Sequence, residues 1–133
     1  TLRAHIPAAV RFVSYEPALA SIDFRPYLDW GIDWLILGAE SGPNARPASL
    51  EWFRRGLYHA RLASPAVRPF MKQLGPNPEG LNAAELELWR KRPRGKDRAG
   101  ADWKYWPKDL RVRQFPRWDL RPDRGDRYRG GVS

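Results

Sequence analysis

The sequence predicts an α/β fold built on parallel strands and continued by an irregular basic tail. Three observations predict it. Apolar runs at 10–15, 34–37 and 68–73 each stop at a turn signal: Glu16-Pro17, the stretch Gly38-Ala39-Glu40-Ser41-Gly42-Pro43, and Gly75-Pro76. The connections between these runs are too long for hairpins, and one of them carries a helical pattern. After Gly80 the periodicity fades and the chain becomes basic and rich in Pro, Gly and Trp.

The first run, Val10-Arg11-Phe12-Val13-Ser14-Tyr15, is rich in the β-branched and aromatic residues that suit a pleated surface. Ala18–Asp33 then forms a crossover with a short helical turn around Pro26-Tyr27-Leu28. The second run, Trp34-Leu35-Ile36-Leu37, is apolar at every position, which fits a strand covered on both faces, as in parallel sheets. The clearest helix spans Leu50–Leu62. Ser49 is placed to act as its N-cap and Glu51 lies in its first turn, where the helix dipole favours an acid. Leu50, Phe53, Leu57 and Ala60 recur at helical spacing and form one apolar face, and Ser64-Pro65 ends the helix. The third run is Arg68-Pro69-Phe70-Met71-Lys72-Gln73. Strand, crossover, strand, helix, strand is the order of a parallel α/β sheet with right-handed connections.

A short helix is expected at Ala83–Lys91. From Arg92 to Ser133 the chain reads as an irregular, partly disordered tail. Its Trp103, Tyr105, Trp106, Phe115 and Trp118 are too apolar for a pure linker, so some are expected to dock on the first part. Two segments result: 1–80 carries the βα units, and 81–133 is the basic, Pro/Trp/Arg-rich extension.

The chain has 133 residues, enough for one domain, and no cysteine, which excludes a disulfide scaffold, a thiolate zinc site and a self-contained iron–sulfur site. His5 and His59 are the only imidazoles and nothing in the sequence places them together, so no metal site is expected. No apolar run reaches the roughly 18 residues of a membrane span, and no signal segment opens the chain. The absence of cysteine fits a cytoplasmic protein. Thr1 in first position, with apolar patterning close behind it, reads as an internal start. Of the net charge of +9, +7 lies from Leu81 onward, where 15 Lys and Arg face 8 Asp and Glu. Such an excess favours anionic partners without choosing among them.

Three ionisable residues close the strands at their C-terminal ends: Glu16, Glu40 and Lys72. In parallel α/β proteins that end carries the ligand site, because the βα loops converge there. Strand alternation puts Ser14 with Glu16, Gly38 with Glu40, and Phe70 with Lys72. If those faces point the same way, two carboxylates and an ammonium meet, able to hold a polar ligand or to move a proton. A structural Glu–Lys pair serving loop amides explains the pattern equally well. The loop Gly38 to Pro43, with Ser41 inside it, offers small residues and free backbone N–H groups for an anionic or zwitterionic ligand. Arg46 follows it and can clamp a carboxylate or phosphate, or simply be solvated. The loop matches neither the Walker pattern nor the dinucleotide fingerprint. The basic tail with its aromatics could bind nucleic acid weakly, by phosphate neutralisation and base stacking, or be a solvated tail.

Four blocks carry a family resemblance. They are Val10-Arg11-Phe12-Val13-Ser14-Tyr15-Glu16-Pro17-Ala18-Leu19; Ile32 to Pro43 with Ala45-Arg46-Pro47; Pro69-Phe70-Met71-Lys72-Gln73-Leu74-Gly75; and Trp106-Pro107 through Phe115-Pro116. In this order they resemble the phage protein gp-thirty-seven/gp-sixty-eight family of uncharacterised phage and prophage proteins. The family's Gly-Gly-Glu-Ser appears here as Gly38-Ala39-Glu40-Ser41, and its Lys-Gln-Trp-Gly as Lys72-Gln73-Leu74-Gly75. The resemblance implies a partial (half) parallel β/α barrel of the radical-SAM type, followed by the tail. It implies, for full-length relatives, a three-cysteine segment holding a [4Fe–4S] cluster that cleaves S-adenosylmethionine. Neither cofactor is expected in this chain alone. Glu16, Glu40 and Lys72 would then be the catalytic residues at the barrel mouth, and Gly38, Glu40, Ser41 and Arg46 the cofactor-binding ones. The chain is accordingly expected to be the C-terminal fragment of a radical-SAM-like enzyme, inactive without a missing N-terminal half. The alternatives are a small basic nucleic-acid-binding module and a decayed remnant without function.

Overall fold

The three apolar runs become three strands in the computed structural model, which describes residues 10–63 and 67–116. In chain order the elements are β1 (Phe12–Tyr15), α1 (Arg25–Leu28), β2 (Trp34–Gly38), β3 (Ala48–Ser49), α2 (Leu50–Leu62), β4 (Arg68–Gln73), β5 (Pro78–Glu79) and α3 (Ala83–Arg90). Two 3-10 turns follow, at Trp103–Tyr105 and Lys108–Leu110. β1, β2 and β4 form a parallel sheet in that order, with Phe12 opposite Trp34 and Trp34 opposite Arg68. β3 and β5 make a separate two-stranded parallel pair. The main sheet is open: no strand among the described residues closes it into a barrel.

Each strand is added on the same side of the last, and both connections pack on one face. Leu35, Leu37 and Met71 point to that face and are fully buried. Phe24, in the first connection, meets the Tyr15 ring edge-on at 5.4 Å. α2 lies on the same side, presenting the apolar stripe its spacing predicts: Leu50, Phe53, Leu57 and Ala60 are all buried. Gly56 lets the helix approach closely, since a Cβ there would sit 3.0 Å from Leu37 and 3.3 Å from Phe24. Strands running one way with both crossovers on one face are what successive right-handed βα units produce.

The opposite face is less covered. Phe12, Trp34 and Phe70 form an edge-to-face row across it, with ring centroids 6.4 and 5.7 Å apart. Phe115 leans on this row, 5.6 Å from Trp34 and 5.4 Å from Phe70, and the Trp34 indole N–H donates to the Gln114 carbonyl at 2.8 Å. Phe12 nonetheless stays 59% exposed. A strand expected to be apolar on both sides thus has one sealed face and one face that carries aromatics towards solvent.

Two local expectations change. Ser49 occupies the N-cap position of α2, but its side chain makes no capping hydrogen bond. It is also the last residue of β3, opposite Glu79, so strand pairing rather than a cap sets the chain's entry into the helix. The proposed stop at Ser64-Pro65 lies outside the described residues. α3 carries the cap that the sequence reading missed: Asn82 accepts from the Glu85 amide at 2.8 Å, and the Glu85 carboxylate accepts from the Asn82 amide at 2.9 Å. This reciprocal pair satisfies two otherwise orphaned donors.

The segment after Gly80 docks as expected. Trp89, Trp106 and Leu110 belong to the same buried cluster as Leu37 and Met71. The stretch 112–114 runs antiparallel along β4, with the Met71 amide donating to the Val112 carbonyl at 2.8 Å and the Gln114 amide to the Pro69 carbonyl at 3.0 Å. Arg113 fastens it. Its guanidinium donates to the carbonyls of Met71 (2.9 Å), Lys72 (2.9 Å) and Ala101 (2.6 Å) and lies 4.9 Å from the Trp106 ring centre. Burial pushes its pKa below the usual arginine value. Trp118 and the rest of the expected tail lie outside the described residues.

Candidate functional site

The C-terminal ends of β1, β2 and β4 form a small polar platform. Glu16 follows β1 directly, and Lys72 lies near the end of β4, on the far side of β2. The two side chains meet across Gly38: the Lys72 ammonium lies 2.9 and 3.1 Å from the two Glu16 carboxylate oxygens. Gly38 makes this possible because it leaves the space between them empty. A Cβ there would already touch Glu16 Cγ at 3.4 Å and Lys72 Cβ at 3.5 Å, so a larger side chain would separate the pair.

A β-bulge completes the platform. Leu37 pairs with Met71, but Gly38 pairs with Gln73, leaving Lys72 as the extra residue. Such an insertion breaks the strict alternation of side chains. Lys72 and Gln73 therefore both reach Glu16, although neighbours in a regular strand would point to opposite faces. The Gln73 amide group donates to Glu16 Oε1 at 3.3 Å and to the Ala39 carbonyl at 2.8 Å. Gln73 is buried, and it ties the carboxylate to the loop that follows β2. Sequence reasoning passed over Gln73 because only the bulge gives it this role, and a bulge has no signal in these residues.

Glu40 takes another partner. Its carboxylate is gripped by Arg46 in a two-pronged pair, 2.8 Å from Nε and 3.0 Å from Nη2, and also accepts from the Arg46 backbone amide at 2.8 Å. Of the three expected strand-end residues, the structure brings Glu16 and Lys72 together and commits Glu40 to closing the loop 40–46 on itself. Ser41 is exposed within that loop. The hydrogen bonds from Arg46 lower the Glu40 pKa from 4.5 to about 2. A depressed carboxyl pKa makes the ionised pair a stabilising contact that is complete above 4.5 and lost as pH falls through about 2. Carboxyl carbon NMR should accordingly place the Glu40 midpoint near 2, and Arg46→Ala should return it towards 4.5. An unchanged midpoint in the variant would show that the pair does not form in solution.

The platform offers one partly exposed ammonium and one partly exposed carboxylate, with 51% and 23% of their side chains open to solvent. The two charges are paired with one another. No group of three or more His, Cys, Asp or Glu side chains able to hold a metal occurs among the described residues. His59 is buried on α2, 3.7 Å from Asp23, where desolvation pushes its pKa down. His5 lies outside the described residues. No helix among those residues is long and apolar enough to cross a membrane. A second feature that the sequence reading did not single out is a cluster of arginines, Arg92, Arg94 and Arg98, beside the loops that follow β2 and β4.

A family model described as "Protein of unknown function (DUF5131)" matches residues 1–107. The match therefore takes in the Glu16–Lys72 platform, the 40–46 loop and Trp106, and stops before Arg113. No curated protein and no solved structure matches the chain.

Proposed function

We start from the family to which this chain belongs, DUF5131, and propose that its parallel sheet is a sector of a β/α barrel of the radical-SAM type, as in the phage-type proteins it resembles. In this reading the Glu16–Lys72 platform binds the amino-acid end of S-adenosylmethionine or a zwitterionic substrate at the barrel mouth. The observation that carries it is the position of the ion pair. It sits at the C-terminal ends of parallel strands, with Glu16 just after β1 and Lys72 near the end of β4, where βα proteins hold their ligands. The succession β1, β2, β4, with both connections on one face, supports the barrel geometry. The aromatic face would then look into the barrel.

Within this proposal the residues of the chain do three things. Lys72 donates to a ligand carboxylate, Glu16 accepts from a ligand ammonium, and Gln73 keeps Glu16 aimed while Gly38 leaves room between them. Glu40 and Arg46 hold the loop shape and act as positioning residues. A [4Fe–4S] cluster, supplied by cysteines this chain lacks, would perform the reductive cleavage.

The test uses a family member that carries the three-cysteine segment. With the residues matching Glu16 and Lys72 changed to Gln and Met, S-adenosylmethionine affinity under anaerobic conditions is expected to fall by about tenfold or more, as removal of a charge-assisted contact predicts. Cleavage of the bound cofactor is expected to fall with it. Unchanged affinity and cleavage would sink the assignment of this platform.

A further inference from the structure

A pocket of ≈ 520 Å³ is lined by Gly42 and Pro43 from the loop after β2, Pro76 and Asn77 from the loop after β4, and Arg92, Arg94 and Arg98 from the loop after α3. Three guanidinium-bearing residues share its wall, and no carboxylate among the described residues does. The segment 90–98 holds six basic residues and a single acid, Asp97. Asp97 Oδ1 accepts from the Ala101 amide at 2.7 Å and the Asp102 amide at 3.3 Å, while its Oδ2 is buried without a hydrogen bond and ion-pairs with Arg92 Nη1 at 4.0 Å. One carboxylate at that distance leaves the cluster with a clear positive excess.

Arg92 shows that the site is built and not merely a fringe of surface arginines. Its side chain is 4% exposed, its guanidinium lies 4.2 Å from the centre of the Trp89 ring, and its Nη1 donates to the Asp97 carbonyl. Its Nε has no hydrogen-bond partner. Burial pushes its pKa below the usual value; the Asp97 charge opposes this and the Arg94 charge adds to it. With Arg92 ion-paired to Asp97, the exposed Arg94 and Arg98 carry the unbalanced positive charge of the pocket wall. The remaining walls suit a ligand larger than a bare ion. Pro43 and Pro76 are apolar, and the space beside Gly42 is open, with nothing within 4 Å of where its Cβ would be.

We propose that this pocket binds the phosphoryl group of a small phosphorylated molecule of about mononucleotide size. Guanidinium forks match phosphate oxygens two at a time, and the pocket's volume falls within the roughly 300–1,000 Å³ of small-molecule sites. The anion closes the charge deficit of the cluster, and the proline walls face the rest of the ligand. The site is separate from the Glu16–Lys72 platform and does not depend on what that platform binds.

The experiment is calorimetric titration of the full chain with inorganic pyrophosphate, with AMP and with a short single-stranded oligonucleotide. Pyrophosphate and AMP are expected to bind. Arg94→Ala/Arg98→Ala should weaken both by about tenfold or more, the loss of charge-assisted hydrogen bonds, with an unchanged circular dichroism spectrum because both residues are exposed. Lys72→Ala should leave both affinities unaltered, which separates this site from the platform. Absence of binding by pyrophosphate and AMP overturns the proposal, and so does equal affinity in the double variant. Binding of the oligonucleotide alone, falling steeply with salt, also overturns it and would identify a nucleic-acid backbone contact instead.

Discussion

Replacing Trp106 by alanine should lower the unfolding free energy by about 3–5 kcal/mol, the range for large aromatic-to-alanine changes in a core. Trp106 is fully buried. Its indole N–H donates to the Gly100 carbonyl at 3.0 Å, the same oxygen that accepts from the Leu74 amide at 3.0 Å just past β4. The Arg113 guanidinium lies over its ring. Truncation would leave a cavity, remove one hydrogen bond from a shared acceptor and strip one aromatic surface from a half-buried cation. Against a usual total of about 5–15 kcal/mol, that loss is large. Urea unfolding read by far-ultraviolet circular dichroism measures it. Trp103→Ala is the control, because Trp103 is 42% exposed and should lose far less. A Trp106→Ala effect below about 1 kcal/mol, the level of ordinary surface changes, would mean that the segment after Gly80 folds apart from the sheet.

Gly100→Ala should be nearly as damaging, for a different reason. Gly100 has φ +66°, and an added Cβ would collide with the Gly75 carbonyl and come within 2.7 Å of the Trp89 ring. The left-handed backbone costs an L-residue about 1–2 kcal/mol, and forcing atoms into a filled space adds about 1–3 kcal/mol. The sum corresponds to a fall in melting temperature of about 10 °C or more for a domain of this size. Gly95→Ala is the matching control: nothing lies within 4 Å of its Cβ position, and its melting temperature should hold or rise slightly. Equal behaviour of the two variants would contradict the packing of Gly100 against Gly75.

The parts of the fold visible in the sequence are those governed by local periodicity. The stripe Leu50, Phe53, Leu57, Ala60 marks α2, and the three apolar runs become the three strands of the main sheet. What stayed hidden depends on partners distant in sequence. β3 and β5 have two residues each and exist only because they pair with one another. Ser49 looks like a cap because it precedes a helix, yet its place is set by Glu79, thirty residues on. The site divides in the same way. Glu16 and Lys72 were legible as strand-end charges. Alternation also grouped Glu40 with them, and it could not anticipate that Arg46, six residues along, would take that carboxylate. The bulge that turns Gln73 towards Glu16 is a property of two strands and of neither alone. The arginine pocket draws on three loops separated by about thirty and fifteen residues, in a region where composition announced only a positive tail.

The sheet's two sides have unequal fates in any encounter between copies. β4 is flanked by the short stretch 112–114, pinned by Arg113 and interrupted by Pro116, whereas the outer side of β1 has no strand partner among the described residues. Among the described residues, β1 is the main-sheet edge strand without a strand partner. Two molecules joined β1 to β1 about a two-fold axis would consume both available edges and stop there, a closed dimer. Head-to-tail stacking, which needs a donor edge and an acceptor edge on every molecule, is blocked at its second step. Through the main sheet's edges, this asymmetry favours closed pairing over open stacking.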